Sequence, residues 1–277
     1  MNSLFSSIKP SGFGSVWQRS VRRLSGALMI GSLATAANAA VTFSGTNGSN
    51  LSASAQFSIV GGNLQILLTN TSASDTLVPA NLLTGLFFTV SDPQVALSRT
   101  GGSALLNGST VSVGGATLAA GNPLVGGGDV GGEFAFRSGL TGGIFGAGTY
   151  YGVSSSGLGI FGPGDRFTTT NLHGPDSPNG MNYGIVSAGD SLATYNGGMA
   201  DEPLISNSVL ITLTGTQFLD LNEIGNVMFQ YGTGTDEPRL TGGTPTTTST
   251  IPETSSTLAL GGLMLSGAFM RVRRKRS

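Results

Sequence analysis

Residues 53–72 read ASAQFSIVGGNLQILLTNTS, and the fold class follows from this stretch. Two runs rich in apolar residues, 53–60 and 64–69, flank Gly61 and Gly62. Paired glycines supply the backbone angles that a two-residue hairpin turn demands, so two antiparallel strands are expected here. Similar runs recur downstream. Residues 82–90 carry Leu86, Phe87 and Phe88 and stop at Asp92 and Pro93. Residues 104–113 are expected to form another hairpin around Asn107 and Gly108. Residues 133–137 (EFAFR) and 149–153 read as aromatic-rich strands, and 209–214 (VLITLT) and 227–231 (VMFQY) as the clearest late ones. Many short strands between Gly, Asn and Pro turns predict a mostly β chain, a β-sandwich or jelly roll. Helix is expected mainly at the two ends, with a turn near residues 218–224.

Composition agrees. Gly accounts for 45 of 277 residues and charged residues for only 10%, which suits strands and turns better than helical bundles. A hydrophobic content of 39% is enough for a packed core and argues against wholesale disorder. Charge is segregated along the chain. Residues 41–250 hold 4 basic and 13 acidic residues, net −9, while the other nine of the 13 basic residues sit in the two ends. An acidic domain lacks the basic patch that nucleic-acid binding needs. There is no Cys, which excludes disulfides, Cys-ligated zinc, iron–sulfur clusters and thiol catalysis.

The N-terminal end reads as a signal peptide over residues 1–39. Arg19, Arg22 and Arg23 precede an apolar run, 24–33, and Ala37-Asn38-Ala39 forms an A-x-A signal peptidase site, so the mature chain is expected to begin near Ala40. The exported domain then spans 40–240, followed by a Thr/Gly/Pro linker at 241–250 (TGGTPTTTST). The C-terminal segment 251–277 has three parts in order. Pro252, Glu253 and Thr254 form a polar motif, and residues 257–270 are uncharged and largely apolar. Arg271, Arg273, Arg274, Lys275 and Arg276 make a basic stop. Residues 254–270 would measure about 25 Å as a helix at ~1.5 Å per residue, the short end for a transmembrane span. The basic cluster is expected to stay cytoplasmic, with the domain outside.

This three-part segment resembles the PEP-CTERM sorting signal of exosortase-dependent bacterial surface proteins. Pro252 and Glu253 match the first two motif positions, and Thr254 stands where the second proline is usual. Residues 53–72, 82–92 (LLTGLFFTVSD) and 229–238 (FQYGTGTDEP) also look like a group of such proteins. The resemblance implies a secreted β-domain, transiently anchored in the inner membrane by a C-terminal helix and processed by an exosortase. Its destination would be the cell envelope, the cell surface or the extracellular matrix. Signal peptidase, the secretion machinery and an exopolysaccharide are the further partners it implies.

No catalytic constellation stands out. Gly157-Leu-Gly159-Ile-Phe-Gly162 and Gly126-Gly-Gly128-Asp-Val-Gly131 fit G-x-G-x-x-G, but in so glycine-rich a chain such matches arise by chance, and Pro163-Gly164 blocks the helix that must follow the former. His173 is the only histidine; with Asp176 nearby it could serve as a general base, yet no G-x-S-x-G nucleophile motif occurs. Asp165, Asp176 and Asp190 lie in loop-rich sequence among Asn171, Asn179 and Asn182. These are oxygen ligands of the type calcium takes, against the simpler reading of solvated loop acids. Tyr150, Tyr151, Tyr183 and Tyr195 could offer a stacking surface to a sugar, against ordinary packing, while the one Trp, Trp17, lies in the leader. The expectation is a non-enzymatic structural or adhesive surface protein with no cofactor beyond a possible calcium ion. The alternatives are a secreted carbohydrate-binding module and, further off, a secreted hydrolase.

Overall fold

The computed structural model describes residues 39–48 and 50–248. Along the chain these form fifteen strands: β1 Ala40–Thr46, β2 Ser52–Val60, β3 Asn63–Asn70, β4 Leu83–Val90, β5 Ser98–Leu105, β6 Thr110–Val113, β7 Ala116–Thr117 and β8 Ala135–Leu140, then β9 Tyr150–Ser154, β10 Ile185–Val186, β11 Leu204–Ser206, β12 Ser208–Thr214, β13 Ile224–Tyr231, β14 Arg239–Thr241 and β15 Thr246–Thr248. Single 3-10 turns and one four-residue α-helical turn, Gly197–Ala200, punctuate the connections. No helix among the described residues is long and apolar enough to cross a membrane. The expected signal helix and C-terminal transmembrane helix lie outside the described residues.

The β2–β3 hairpin forms with Val60 opposite Asn63. Gly61 and Gly62 both take positive φ, 58° and 77°, a conformation that a Cβ would oppose. Alternate residues then point one way. Ala53, Ala55, Phe57, Leu64, Ile66 and Leu68 are all buried, while their neighbours are not. Phe57 meets Phe43 of β1 edge-on at 5.8 Å and Phe88 of β4 at 5.2 Å. Such pairs add to the area they bury.

Two sheets result, ordered β15-β1-β2-β3-β12-β5 and β14-β13-β4-β10-β11-β6-β7, with β9 on β4 and β8 on β9. Val41, Phe57, Ile66 and Ile211 of the first sheet and Leu86, Phe88, Val227 and Phe229 of the second share one buried cluster, as the mostly β expectation requires. Strand β4 is buried on both faces, because its outer face is roofed by a second cluster in which Phe87 packs against Phe145 at 5.0 Å and Phe161 at 6.1 Å.

Two expectations are revised. Asn107 and Gly108 do make a tight turn, with φ of 48° and 86°. The strands it joins are nevertheless not a hairpin: β5 pairs with β12 in the first sheet and β6 with β11 and β7 in the second. The turn is a corner between sheets, because each strand finds its hydrogen bonds with a sequence-distant neighbour. The stretch expected as a linker is partly strand. β14 ends at Thr241, and Thr246–Thr248 adds an exposed edge strand to β1. Pairing at an edge needs main-chain donors and acceptors and no core-facing side chain, and β-branched threonine suits it. Near Phe218, a turn closes from the Leu219 N–H to the Thr216 carbonyl at 2.9 Å, followed by a 3-10 turn at Leu221–Glu223.

Candidate functional site

The two ends of the described chain meet. Strands β1 and β15 run antiparallel with Ala40 opposite Thr248 and Val41 opposite Thr247. Ala39, half of the expected signal peptidase site, is exposed at the start of β1. Around this junction opens a groove of about 420 Å³ lined by Ala39, Val41, Ile59, Leu219, Asp220 and Thr247, among others. Ala37, Pro252, Glu253, Thr254, Arg271, Arg273, Arg274, Lys275 and Arg276 lie outside the described residues.

A second polar focus organises residues 162–184, the loop that carries most of the candidate side chains. At its centre is Glu133, fully buried in the 3-10 turn Gly131–Glu133 that leads into β8. Its Oε1 accepts the backbone N–H of Leu172 and, at 3.1 Å, that of His173, and its Oε2 accepts the Ser177 hydroxyl. Neighbouring Gly132 lets the backbones touch, since a Cβ there would collide with the Thr170 carbonyl. The GGGDVGGE stretch (126–133) is thus a cradle for residues 169–172. Asn171 works as a second hub. Its Oδ1 accepts Arg166 Nη1 at 2.8 Å and the Ser177 N–H at 2.9 Å, and its Nδ2 donates to the His173 carbonyl at 2.7 Å.

His173 is half-buried, with Nδ1 3.0 Å from Asn182 Nδ2 and 3.8 Å from Glu202 Oε2. Ser177 is fully buried and its hydroxyl is committed to Glu133. The loop therefore brings a serine and a histidine to two carboxylates from outside it, but the hydroxyl bonds to Glu133 while the imidazole faces the Asn182 amide and Glu202. That arrangement fixes the loop; it does not align a nucleophile with its base.

Two of the three calcium candidates are tied to backbone donors. Asp165 Oδ2 accepts the Gly162 N–H at 2.9 Å, and Asp176 is exposed. Asp190 accepts the Thr76 N–H on both oxygens, at 3.2 and 3.1 Å, while Asp75 accepts the Ser191 N–H at 3.1 Å, a reciprocal clamp between two loops. Burial raises the Asp190 pKa, the Thr76 bonds oppose the rise and the Asp75 charge adds to it. Among the described residues no three His, Cys, Asp or Glu side chains come together as a metal site would need.

Tyr150, Tyr151 and Tyr183 are committed to packing, and Tyr195 lies half-buried against Leu82, Val186, Met199 and Leu204. Tyr183 is fully buried with its hydroxyl on the Leu124 carbonyl at 2.9 Å, and Tyr151 stacks between Phe88 and Phe136 and donates to the Val95 carbonyl at 2.6 Å. Tyr150 packs against Phe145. In the 229–238 stretch Gln230 is buried and its Nε2 donates to the Tyr231 and Gly234 carbonyls at 2.8 and 3.0 Å. Glu237 Oε2 accepts the N–H groups of Thr233 and Gly234, so this segment closes on itself as a turn.

Glu133, Ser177 and Gln230 were not singled out from the sequence. The one available signal was a lone glutamate between a glycine run and an apolar strand. No family model matches the chain, and no curated protein or solved structure matches it.

Proposed function

We propose that this is an exported, exosortase-processed protein of the cell surface or extracellular matrix with a non-enzymatic structural or adhesive role. The observation that supports it is the pairing of β1 with β15, Ala40 opposite Thr248. A domain released by cleavage near Ala40 and tethered through residues beyond 250 works best if both connections leave from one end. That end can face the membrane while the rest of the domain projects outward. The signal peptide and the sorting segment lie only a few residues outside this strand pair, so both processing steps would occur at the same edge. The knitted loop around Glu133, with its hydroxyl and imidazole turned to separate partners, fits a structural role better than a hydrolytic one.

Terminal mapping by mass spectrometry of protein recovered from the native host surface, with and without the host exosortase, tests this. A mature chain beginning near Ala40 and ending close to Glu253, with the tail retained when the enzyme is deleted, is the expected result. A C-terminus at Ser277 in both strains would overturn the processing step and leave a permanently anchored protein.

A further inference from the structure

Residues 41–250 contain only four basic side chains, Arg99, Arg137, Arg166 and Arg239, and three of them come together. Arg99 lies on β5, the edge of the first sheet, and Arg137 on β8, the outermost strand paired to β9 in the second. Arg166 joins them through a bridge to Ala135 of β8. Arg99 donates from Nε to the Arg166 carbonyl and from Nη2 to the Gly164 carbonyl, each at 2.6 Å. Arg137 Nη1 donates to the Ile160 carbonyl at 2.5 Å, and Arg166 reaches the Pro163 carbonyl at 3.2 Å and Asn171 Oδ1 at 2.8 Å.

Every one of these acceptors is a neutral oxygen. Among the described residues the one ion pair within 4.0 Å is His173 with Glu202. Three permanent positive charges thus sit at one seam of a strongly acidic domain with no carboxylate bound to them. A guanidinium carries five N–H groups in a planar fork and stays charged at any working pH. Arg137 spends one of its five here, which leaves most of its donors and all of its charge for something else.

Arg99 and Arg137 flank a cavity of about 250 Å³ whose walls include Ser98, Phe136, Ser138 and Asp165. Asp165 is the one acid present, and its Oδ2 is held by the Gly162 N–H. Arg99 has its Nε and Nη2 committed to carbonyls and contributes its charge, while Arg137 and the Ser98 and Ser138 hydroxyls supply the donors that a carboxylate or sulfate group takes. The volume suits one such group with part of its carrier rather than a deeply enclosed ligand.

We propose that the seam between β5 and β8 is an oxyanion-binding site that takes a carboxylate or sulfate group. The site rests on the arginine geometry and stands apart from the sorting reading. Joined to that reading, it makes an acidic exopolysaccharide the matrix partner.

The test is calorimetric titration of the full chain, at fixed ionic strength, with sodium sulfate, with oligogalacturonate and with a neutral oligogalactose. Saturable binding of an anion, absent for the neutral sugar, is expected. It should weaken about tenfold in Arg137→Gln, the loss of one charge-assisted contact, and persist in Arg239→Gln. Because Arg137 is exposed, thermal unfolding of the variant should match the parent. Ser138→Asp, which adds a negative charge at the mouth and leaves the arginines intact, should abolish binding. Tighter binding of oligogalacturonate than of sulfate identifies a carboxylate as the preferred group; the reverse order identifies a sulfate. No saturable anion binding, binding unchanged in both Arg137→Gln and Ser138→Asp, or equal binding of the neutral sugar would each overturn the proposal. None of these outcomes depends on where the chain is cleaved.

Discussion

Glu133 shows how much one side chain can hold. Its carboxylate accepts from two backbone N–H groups and one hydroxyl, all from residues 172–177, in a place closed to water. Removing it strands those donors. Glu133→Ala is expected to lower stability by about 3 kcal/mol or more, read as a lower midpoint in urea unfolding, with Glu133→Gln losing less because one acceptor oxygen survives. A loss no larger than that of a surface substitution would mean that the loop is held by other contacts. The sequence did not announce this residue. It did offer His173 and the loop aspartates, and the structure places Asp165 and Asp190 on backbone donors and leaves Asp176 exposed. What a polar side chain faces depends on the segment that crosses it, and nothing in the neighbouring letters encodes that crossing.

At the level of elements, local chemistry was the better guide. The hairpin at Gly61 and Gly62 and the turn at Asn107 and Gly108 formed where short-range sterics favour them. The turn from Thr216 to Leu219 departs from that logic, since Phe218 occupies its third position at φ 72° and is 59% exposed. Glycine or asparagine is the residue such a position favours. Phe218→Gly is therefore expected to stabilise the fold by about 0.5–1 kcal/mol, relieving the left-handed strain at little cost in buried area, seen as a raised urea midpoint. A lowered midpoint would show that the ring packs more firmly than its exposure implies. The β5–β6 corner and the β15 edge were less legible, because a strand's partner is chosen by the whole sheet. β15 joins β1 across some two hundred residues of intervening chain.

Across the molecule, burial of tyrosine sets the alkaline limit. Tyr151, Tyr183, Tyr195 and Tyr231 all have pKa values raised above the ordinary 10, chiefly because burial penalises the phenolate. The folded state then keeps protons that the unfolded chain releases, so these groups favour the fold below pH 10 and that contribution is lost as pH rises above it. Absorbance at 295 nm is expected to rise mainly in one cooperative step that coincides with loss of circular dichroism. A gradual rise near pH 10 from a still folded protein would contradict the packing described. By itself the sequence determined the mostly β class, the places where tight turns form and the acidic character of residues 41–250, since these follow from nearest neighbours and composition. Only the tertiary structure decided that Ala40 lies beside Thr248, that the tyrosines turn inward, and that three arginines from separate strands and loops share one seam. Those juxtapositions come from sheet pairing over long sequence distances, where the closing geometry of two packed sheets selects the contacts.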